Sequence, residues 1–472
     1  MVVGDFAEQL DVVVIGSGPG GYVAAIRAAQ LGKDVTIIEK DNIGGACLNV
    51  GCIPSKSLIE VANTYQNAIK ADRFGIENNG DYTVNFQKAQ KWKDKDVVSP
   101  LRNGIEALLK KHKVKILKGE AFLVDNQTVR VIYDEESGDV QSYSFNQAII
   151  ATGSRPIELK DFKFKGRIID STGALNLEEL PESLAVMGGG YIGVEIATVY
   201  AKLGVKVHIF ESQPQILNGF DKQMVDIVVK KLKKYGVEVH TSTTIKSADQ
   251  TEDKVTIAYQ SKEESQLDVD YLLVSVGRRP NTDDIGLHLA RVDTDEEGRI
   301  IVDSQGRTNQ EHIYAIGDAI PGPALAHKAS YEAKIVAASI CGDKSAAIDY
   351  LAIPMVCYCD PEIACVGYDP KEARELGFKA KKARFPYAAN GRALSMQATK
   401  GFVELVFDDE TKTLLGAHVV GAHASELIGE LTVLIEQGMT VEDVTLTIHG
   451  HPTLSEMILD AAELAIGLPI HI

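Results

Sequence analysis

The fold is decided by the stretch Asp11-Val-Val-Val-Ile-Gly-Ser-Gly-Pro-Gly-Gly21, which predicts an apolar strand, a glycine-rich turn and the start of a helix. In such a turn Gly16 makes the tight bend, Gly18 lets the backbone approach a pyrophosphate, and Gly21 allows the helix to pack closely on the strand. The pyrophosphate lies at the helix N-terminus, where free N–H groups favour negative charge. A second strand ends at Glu39, in the position of the acid that binds a ribose hydroxyl. The stretch therefore predicts a dinucleotide-binding α/β unit.

The same pattern returns 172 residues later in the sequence. Residues 184–193 contain the glycines Gly188, Gly190 and Gly193, and the second strand that follows is closed by Glu211. A lone Gly-x-Gly-x-x-Gly is a weak signal, but here the strand, helix and terminal acid recur in the same order. We therefore predict an α/β fold with two Rossmann-like dinucleotide-binding domains.

Glu211 also indicates which nicotinamide cofactor the second domain binds. A carboxylate at this position repels a 2′-phosphate, and the following residues, Ser212-Gln-Pro214, include no arginine to bind one. The sequence thus favours NAD over NADP.

Two further segments mark the boundaries of these domains. Residues 149–156 and 273–280 each contain an apolar strand, a glycine (Gly153 or Gly277) and a proline-bearing turn. Asp318 follows another apolar strand, at the carboxyl end where ligands bind in open α/β sheets. After about Ala347 the pattern changes to strands followed by amphipathic helices. We predict a nucleotide-binding domain of residues 1–153 and 278–346, an inserted second one of residues 154–277, and a C-terminal α+β domain of residues 347–472.

A pair of cysteines, Cys47 and Cys52, follows closely on the first glycine turn. A disulfide needs Cα atoms within roughly 4.4–6.8 Å, whereas five residues of ideal helix rise about 7.5 Å. If the segment is helical, it must therefore be distorted, and Gly51 and Pro54 are suited to distort it. Two buried thiols or a zinc half-site are the alternatives, although the usual zinc spacing is two to four intervening residues with a second ligand pair nearby. We favour a redox-active pair that exchanges two electrons with a bound nucleotide cofactor.

Composition and charge exclude several other classes of protein. A chain of 472 residues predicts about three domains, and its net charge of −17 argues against nucleic acid or an anionic membrane as a partner. No apolar run reaches the roughly 18 residues of a membrane span, and the N-terminus does not resemble a signal peptide. Six cysteines do not make a secreted disulfide scaffold, so we expect a cytoplasmic protein.

The remaining cysteines and most histidines have no predicted chemistry. We expect Cys341, Cys357, Cys359 and Cys365 to serve core packing, because no fourth ligand with suitable spacing accompanies them. His112, His208 and His312 are expected to be surface or core residues, and no metal site is predicted.

Taken together, the motifs resemble those of the pyridine nucleotide–disulfide oxidoreductases over essentially the whole chain. They are the two glycine turns with their acids, Ala151-Thr-Gly153, Ala315-Ile-Gly-Asp318, the cysteine box of residues 44–56 and the C-terminal box His449-Gly-His-Pro-Thr-Leu-Ser-Glu456. The cysteine and histidine boxes are highly specific to the family. Within it, Cys52-Ile-Pro-Ser-Lys56 resembles the lipoamide enzymes, whereas glutathione reductases usually carry Cys-Val-Pro-Lys-Lys.

The resemblance implies FAD in the first nucleotide site and NAD in the second. The residues it assigns to FAD are Gly16, Gly18, Gly21, Glu39 and Asp318, and those it assigns to NAD are Gly188, Gly190, Gly193 and Glu211. Gly153 and Gly277, which close the two nucleotide segments, are also expected to bind cofactor. Lys56 matches the family lysine near the reactive flavin ring, and Glu195 matches its usual ionic partner.

The resemblance further implies oxidation of protein-bound dihydrolipoamide with reduction of NAD+ to NADH. His451 would be the base, Glu456 would orient it, Cys47 would exchange with the substrate, and Cys52 would donate electrons to FAD. His449 is left open between a structural and a catalytic role.

The resemblance also implies partners. The C-terminal domain of one subunit would close the active site of the other in a homodimer, with helices predicted at residues 424–437 and 453–468 covering the partner. Only about ten residues precede the first strand, so we expect the lipoyl group to come from another protein. That protein would be the acyltransferase of a 2-oxo acid dehydrogenase complex or the carrier protein of the glycine cleavage system.

Three alternatives remain open from the sequence. Another reductase of the family is the nearest, but NADP chemistry would want arginines after Glu211, and a mercuric reductase would want a C-terminal cysteine pair. A flavin monooxygenase would share the glycine turns but would have no use for Cys47, Cys52 and His451 together. A purely structural subunit would not need an intact catalytic set.

Overall fold

The computed structural model describes residues 8–77, 80–134 and 137–472. Contacts group the chain into two units. The first holds the chain up to Leu58 with Asn85–Ile157 and Gly277–Asp349, and the second holds Ile59–Val84, Glu158–Val276 and Tyr350–Ile472. The first unit thus joins the two segments that flank the predicted insertion. The finer division of the second unit into a nucleotide-binding domain and a C-terminal domain stays a prediction.

Strands and helices alternate along the predicted nucleotide-binding segments, and the C-terminal residues form antiparallel strands and helices. The strands are β1 (Glu8–Ile15), β2 (Val35–Glu39), β3 (Lys115–Lys118), β4 (Glu120–Leu123), β5 (Thr128–Asp134), β6 (Asp139–Ile150), β7 (Ser154–Pro156), β8 (Ile168–Ile169), β9 (Ser183–Met187), β10 (Lys206–Phe210), β11 (Glu238–His240), β12 (Thr244–Gln250), β13 (Val255–Gln260), β14 (Glu264–Val269), β15 (Tyr271–Val274), β16 (Arg278–Pro280), β17 (Ile313–Ala315), β18 (Met355–Cys357), β19 (Glu362–Gly367), β20 (Ala380–Pro386), β21 (Phe402–Asp408) and β22 (Leu414–Gly421). The helices are α1 (Pro19–Gln30), α2 (Gly45–Val50), α3 (Cys52–Ile69), α4 (Phe86–Trp92), α5 (Ser99–Lys111), α6 (Ser171–Leu175), α7 (Tyr191–Lys202), α8 (Lys222–Lys234), α9 (Ala326–Ile340), α10 (Pro370–Glu375), α11 (Gly391–Ser395), α12 (Ala424–Glu436), α13 (Val441–Thr445) and α14 (Glu456–Ala465).

The first unit is built on a sheet in which β1 lies between β2 and β6, in parallel with both. The strand β17 pairs in parallel with the last residues of β6, whose earlier part pairs antiparallel with β5. Alternate residues of β1 enter two different cores: Val12 and Val14 pack with residues of α1 and α9, and Val13 and Ile15 pack with residues of β4 and β5. Both faces of β1 are therefore covered, as is usual for a parallel sheet, and its carboxyl end leads into the first glycine turn.

The two predicted boundary segments lie side by side in the first unit. Strand β7 pairs antiparallel with β16. The carbonyl oxygen of Gly153 accepts the N–H of Asn281, and that of Gly277 accepts the N–H of Ile157. The chain therefore leaves and re-enters this unit through one two-stranded ladder.

In the second unit, residues 158–276 form a second parallel sheet of order β11-β10-β9-β15-β8. All of its strand pairs are parallel. An antiparallel sheet of order β12-β13-β14 accompanies it. The parallel sheet repeats the strand–turn–helix–strand order of the first unit, so the predicted second Rossmann-like fold is confirmed.

The C-terminal part of the second unit is an antiparallel sheet of order β18-β19-β22-β21-β20. Its core joins sheet residues such as Phe385, Leu405 and Val419 to Leu431 of α12 and Ile458 of α14. The predicted change to α+β structure is thereby confirmed.

The helix predicted over residues 453–468 is wrong at both ends. Helix α14 begins only at Glu456, because Thr453 belongs to a turn in which its hydroxyl donates to the carbonyl of Gly450 at 2.8 Å. It ends at Ala465, and Gly467 with a φ of +80° follows the last turn.

Burial agrees with a packing role for most of the remaining cysteines. Cys357, Cys359 and Cys365 are buried, and Cys341 is partly buried. None of the helices in the described ranges combines the length and hydropathy needed to cross a bilayer.

Candidate nucleotide and redox sites

The first glycine turn joins β1 to α1 where side chains have no room. Gly16 has a φ of +95°, in the left-handed region that favours glycine. A Cβ at Gly21 would collide with the carbonyl oxygen of Gly16. Around Gly18, in contrast, a Cβ would meet nothing within 4 Å. The first and third glycines thus shape the turn, and the second leaves space for a ligand.

The second glycine turn, between β9 and α7, repeats this geometry. Gly188 has a φ of +104°, and a Cβ at Gly193 would collide with the Gly188 carbonyl oxygen. Gly190 again borders open space. The three roles therefore recur at the predicted offset.

The acid of the first site is held by the turn itself. The Glu39 carboxylate accepts hydrogen bonds from the Ser17 backbone N–H at 2.9 Å, the Ser17 hydroxyl at 2.5 Å and the Asp41 N–H at 2.9 Å. Glu39 is buried at the end of β2. The turn and the acid are therefore one rigid element.

The acid of the second site is held by equivalent positions. The Glu211 carboxylate accepts the N–H groups of Gly189 and Gln213, each at 2.8 Å. These two residues stand 172 positions after the two that bind Glu39 by their backbone N–H groups. The internal repeat thus extends from sequence to hydrogen bonding.

Both turns fit a dinucleotide. Within the described residues, no side chain caps the N-terminus of α1 or α7, and the N-terminus of a helix attracts an anion. The open space at Gly18 and Gly190 lies at these same N-termini, since each glycine is the residue before its helix. A pyrophosphate at each turn would therefore lie against a helix N-terminus.

Asp318 lies at the carboxyl end of β17, as predicted, and is held by residues that sequence reasoning missed. The Ser154 hydroxyl donates to the Asp318 carboxylate at 2.5 Å, and Nε of Arg278 donates to the Ser154 hydroxyl oxygen at 2.8 Å. Ser154 and Arg278 each stand one residue beyond a predicted boundary glycine, Gly153 and Gly277. The two-stranded ladder therefore positions the acid.

A buried ion pair supports the same turn. The Glu332 carboxylate accepts the Gly317 N–H at 2.8 Å and lies 2.6 Å from Nζ of Lys328, and both side chains are fully buried. Burial raises the pKa of Glu332, against the opposing effect of Lys328. The spacing of four residues on α9 was visible in the sequence, but nothing there linked it to Asp318.

The cysteine pair lies where one helix breaks into another. Helix α2 carries Cys47 and ends at Val50, and α3 begins at Cys52 after Gly51. The prediction that Gly51 distorts the segment is confirmed, while Pro54 fits undistorted into the first turn of α3. Cys47 and Cys52 are in the reduced form, and a side-chain hydrogen bond joins them.

The two thiols are electrostatically coupled. The pKa of Cys47 is raised, first by its hydrogen bond with Cys52, then by burial and by the repulsion that a second thiolate would feel, whereas Lys56 lowers it. The pKa of Tyr22 is also raised, by burial and by the neighbouring Cys47. The pair therefore loses a second proton less readily than a first.

The second unit contains the predicted His451–Glu456 pair. Nδ1 of His451 lies 2.8 Å from the Glu456 carboxylate, whose other oxygen accepts the Thr453 N–H at 2.7 Å. A carboxylate only accepts, so Nδ1 carries the proton of this bond and Nε2 is the basic nitrogen. Within one chain the His451 side chain is 82% exposed, and its peptide bond to Pro452 is cis.

The pKa of Glu456 lies below its ordinary value. Burial opposes its ionisation, but the hydrogen bonds from Thr453 and His451 outweigh the burial. The carboxylate therefore stays charged beside the imidazole.

His449, in contrast, has a structural setting. Its side chain is 5% exposed, with Nε2 2.8 Å from the Glu430 carboxylate and Nδ1 3.0 Å from the Thr447 carbonyl oxygen. Both ring nitrogens are engaged, which leaves none to act as a base.

Lys56 lies in the first unit and Glu195 in the second. Lys56 stands one turn after Cys52 on α3. Glu195 is buried on α7 and accepts the Tyr358 N–H at 2.8 Å. The ion pair between Lys56 and Glu195 stays a prediction.

Comparison with known proteins assigns the family. Residues 10–333 match the family described as pyridine nucleotide-disulphide oxidoreductase. The chain belongs to this family. Residues 353–462 match the dimerisation domain of the pyridine nucleotide-disulphide oxidoreductases, so the predicted C-terminal interface domain and homodimer are supported.

Two curated relatives in this family share about half of their residues with the chain. The dihydrolipoyl dehydrogenase of Geobacillus stearothermophilus is 54% identical over 473 residues, covering 100% of this chain and 99% of the relative. That of Bacillus subtilis (strain 168) is 53% identical and covers 100% of both.

Solved structures in the family have the same fold. LpdA from Mycobacterium tuberculosis superposes with a TM-score of 0.89 at 26% identity, covering 96% of this chain and 99% of that one. The HOCl-induced flavoprotein disulfide reductase RclA from Escherichia coli has a TM-score of 0.86 at 28% identity, covering 96% and 99%.

Proposed function

We propose that this chain oxidises protein-bound dihydrolipoamide to lipoamide and reduces NAD+ to NADH, with FAD as the intermediate carrier. The observation that carries the proposal is the hydrogen-bonded pair Cys47–Cys52 in the unit that also holds the first glycine turn. A pair that closes to a disulfide accepts two electrons from another dithiol by exchange. The curated relatives, which cover the whole chain, carry the name dihydrolipoyl dehydrogenase.

The proposal assigns each cofactor to its turn. FAD would be held by Gly16, Gly18, Gly21, Glu39 and Asp318, with Lys56 near its reactive ring and Glu195 as the ionic partner of Lys56. NAD would be held by Gly188, Gly190, Gly193 and Glu211, and Gly153 and Gly277 would also take part in cofactor binding. Bound FAD would accept the electron pair of the dithiol and deliver it to NAD+ as a hydride. Residues 1–153 and 278–346 form the FAD domain in this proposal, residues 154–277 the NAD domain, and residues 347–472 the interface domain.

The first half of the reaction is thiol–disulfide exchange on the oxidised Cys47–Cys52 pair. Nε2 of His451 takes the proton of one substrate thiol, and the resulting thiolate attacks Sγ of Cys47. The disulfide breaks, Cys52 leaves as a thiolate, and a mixed disulfide joins the substrate to Cys47. The negative charge of the half-reduced pair then rests on Cys52, the cysteine that the resemblance places next to FAD.

The second exchange releases lipoamide. The remaining substrate thiol loses its proton to solvent and attacks the substrate sulfur of the mixed disulfide, which closes the lipoamide ring. Cys47 leaves and takes the proton held by His451. Glu456 keeps the imidazole in the correct tautomer and stabilises its charged form throughout.

The proposal places this chemistry in a homodimer in which His451 and Glu456 of one chain complete the Cys47–Cys52 site of the other. The exposure of His451 within a single chain supports a site completed from outside that chain. The lipoyl group would come from the acyltransferase of a 2-oxo acid dehydrogenase complex or from the glycine cleavage carrier protein. The reducing cytoplasm is the compartment we propose, since it keeps such a pair available for turnover.

A steady-state assay tests the function. The FAD-loaded enzyme should reduce NAD+ with free dihydrolipoamide, and more efficiently with isolated lipoyl domains. The Cys47→Ser, Cys52→Ser double variant, which keeps both glycine turns, is the matched control and should lose the activity. Equal NAD+ reduction by the double variant, or none by the parent enzyme loaded with FAD, would contradict the proposal.

A further inference from the structure

Two histidines and a glutamate converge on one face of the second parallel sheet. His208 on β10 is in register with Glu238 on the edge strand β11, and His240 stands two residues further along β11. Side chains two residues apart on a strand share a face. The three side chains therefore meet although more than 30 positions separate His208 from His240.

The distances between the three groups fit ligands of one ion. Nδ1 of His208 lies 3.5 Å from Nε2 of His240 and 3.6 Å from the Glu238 carboxylate, which is 3.8 Å from Nε2 of His240. A point about 2.1 Å from all three atoms exists in such a triangle, and zinc binds imidazole nitrogen and carboxylate oxygen at about 2.0–2.2 Å. These separations exceed the usual hydrogen-bond range of about 2.7–3.2 Å. The three atoms are thus spaced as ligands of a common centre.

The surroundings hold the rings and leave an entrance. The His208 side chain is 4% exposed, and the His240 ring stacks on Phe210 with centroids 4.6 Å apart. Glu238, in contrast, is 53% exposed. An ion would reach the site from solvent on the Glu238 side.

We propose that His208, Glu238 and His240 bind a divalent first-row transition ion of the zinc class. Two imidazoles and one carboxylate favour such an ion over Mg²⁺ or Ca²⁺, which prefer oxygen ligands. The site borders the second nucleotide turn, because the backbone carbonyl oxygen of His240 accepts the N–H of Glu211 at 2.9 Å. The proposal nevertheless does not depend on the proposed oxidoreductase function. Bound ion would cross-link β10 and β11.

Zinc itself is the probe for this site. Competition with a chromogenic chelator at pH 7.5 should show one zinc ion per chain in the holoenzyme. His240→Ala should remove this ion, and Glu238→Gln should weaken its binding at least tenfold. His288→Ala, which alters an exposed histidine of the first unit, is the control and should bind zinc as the parent does. Parent-like zinc binding by His240→Ala would overturn the proposal.

Thermal unfolding separates lost binding from lost folding. In the presence of EDTA, His240→Ala should unfold cooperatively at a temperature somewhat below that of the parent, because it loses the ring stacked on Phe210. The quantity compared is therefore the change that zinc causes in each protein. Added zinc should raise the unfolding temperature of the parent and of His288→Ala but not that of His240→Ala, since an ion that binds the native state stabilises it. An equal rise in the unfolding temperature of all three proteins would mean that zinc binds elsewhere, and it would contradict the proposal.

Discussion

Glu211 accepts the backbone N–H of Gly189 at 2.8 Å, so the acid that closes the second nucleotide strand is attached to the turn that begins the site. The same carboxylate accepts the Gln213 N–H. Its position is therefore set by main-chain donors on both sides. Because these donors do not depend on a ligand, the acid is in place before a nucleotide binds.

Replacing Glu211 with arginine should reverse the cofactor preference. The change removes the acceptor for a ribose hydroxyl and the repulsion of a 2′-phosphate, so we expect kcat/KM for NAD to fall about 10- to 100-fold and that for NADP to rise. Glu264→Arg, on the exposed part of β14, makes the same charge change away from the turn and serves as control. A parent-like NAD/NADP ratio in Glu211→Arg would show that this acid is not at the ribose.

Serine variants of the two cysteines should differ in their spectra. Cys52→Ser should lack the long-wavelength thiolate–flavin absorption band, because Cys52 carries the negative charge of the reduced pair in the proposed mechanism. Cys47→Ser should show the band even in the oxidised enzyme, since Cys52 then has no disulfide partner. Identical visible spectra for the two variants would contradict the assignment of different roles to the two cysteines.

His451→Gln should slow the thiol half of the reaction about 10²- to 10⁴-fold, the range usual for loss of a general base. Oxidation of NADH by an artificial electron acceptor does not use the base and should stay near the parent rate. Glu456→Gln should cause a smaller loss and change the pH profile of kcat. A parallel loss of both activities in His451→Gln would indicate a damaged fold.

Glu404 should make the stability of the C-terminal sheet depend on acid pH. It lies between Arg384 and His418 on neighbouring strands. Burial opposes its ionisation, but the hydrogen bond with His418 and the charge of Arg384 outweigh burial and lower the pKa of Glu404 to about 2. A depressed pKa stabilises the fold above the unfolded-state pKa, and that contribution is lost as the pH falls towards 2.

Denaturant unfolding of Glu404→Gln measures this contribution. The variant should be less stable than the parent by about 2–3 kcal/mol at neutral pH, and the difference should shrink between about pH 5 and pH 2. Glu375→Gln, at an exposed carboxylate, should follow the parent at every pH. A constant difference across the acid range would mean that Glu404 acts through packing and not through its charge.

Mixed dimers test the shared active site. Homodimers of Cys47→Ser and of His451→Gln should each be nearly inactive, but a heterodimer should recover one intact site assembled from the two unaltered halves. Activity should therefore rise after subunit exchange. If size and mass measurements confirm the heterodimer and no activity returns, the base and the disulfide come from the same chain.

The sequence by itself determined the parts of this protein whose constraints are local. Gly16 and Gly188 need positive φ, and Gly21 and Gly193 need a missing Cβ, so both nucleotide turns could be predicted from glycine spacing. The break at Gly51 followed from helix geometry and the reach of a disulfide. The His451–Glu456 pair was predicted from the resemblance of residues 449–456 to the family's histidine box.

Only the tertiary structure decided which distant residues meet. Ser154 and Arg278 position Asp318 because two strands pair across an insertion of more than 100 residues. His208 meets Glu238 and His240 because β10 and β11 pair in parallel. Parallel strands are joined through a long crossover, so these residues lie far apart in sequence. The start of α14 at Glu456 likewise depends on side-chain hydrogen bonds in the preceding turn. Such contacts depend on strand register and packing, which cannot be predicted from the spacing of residues in the sequence.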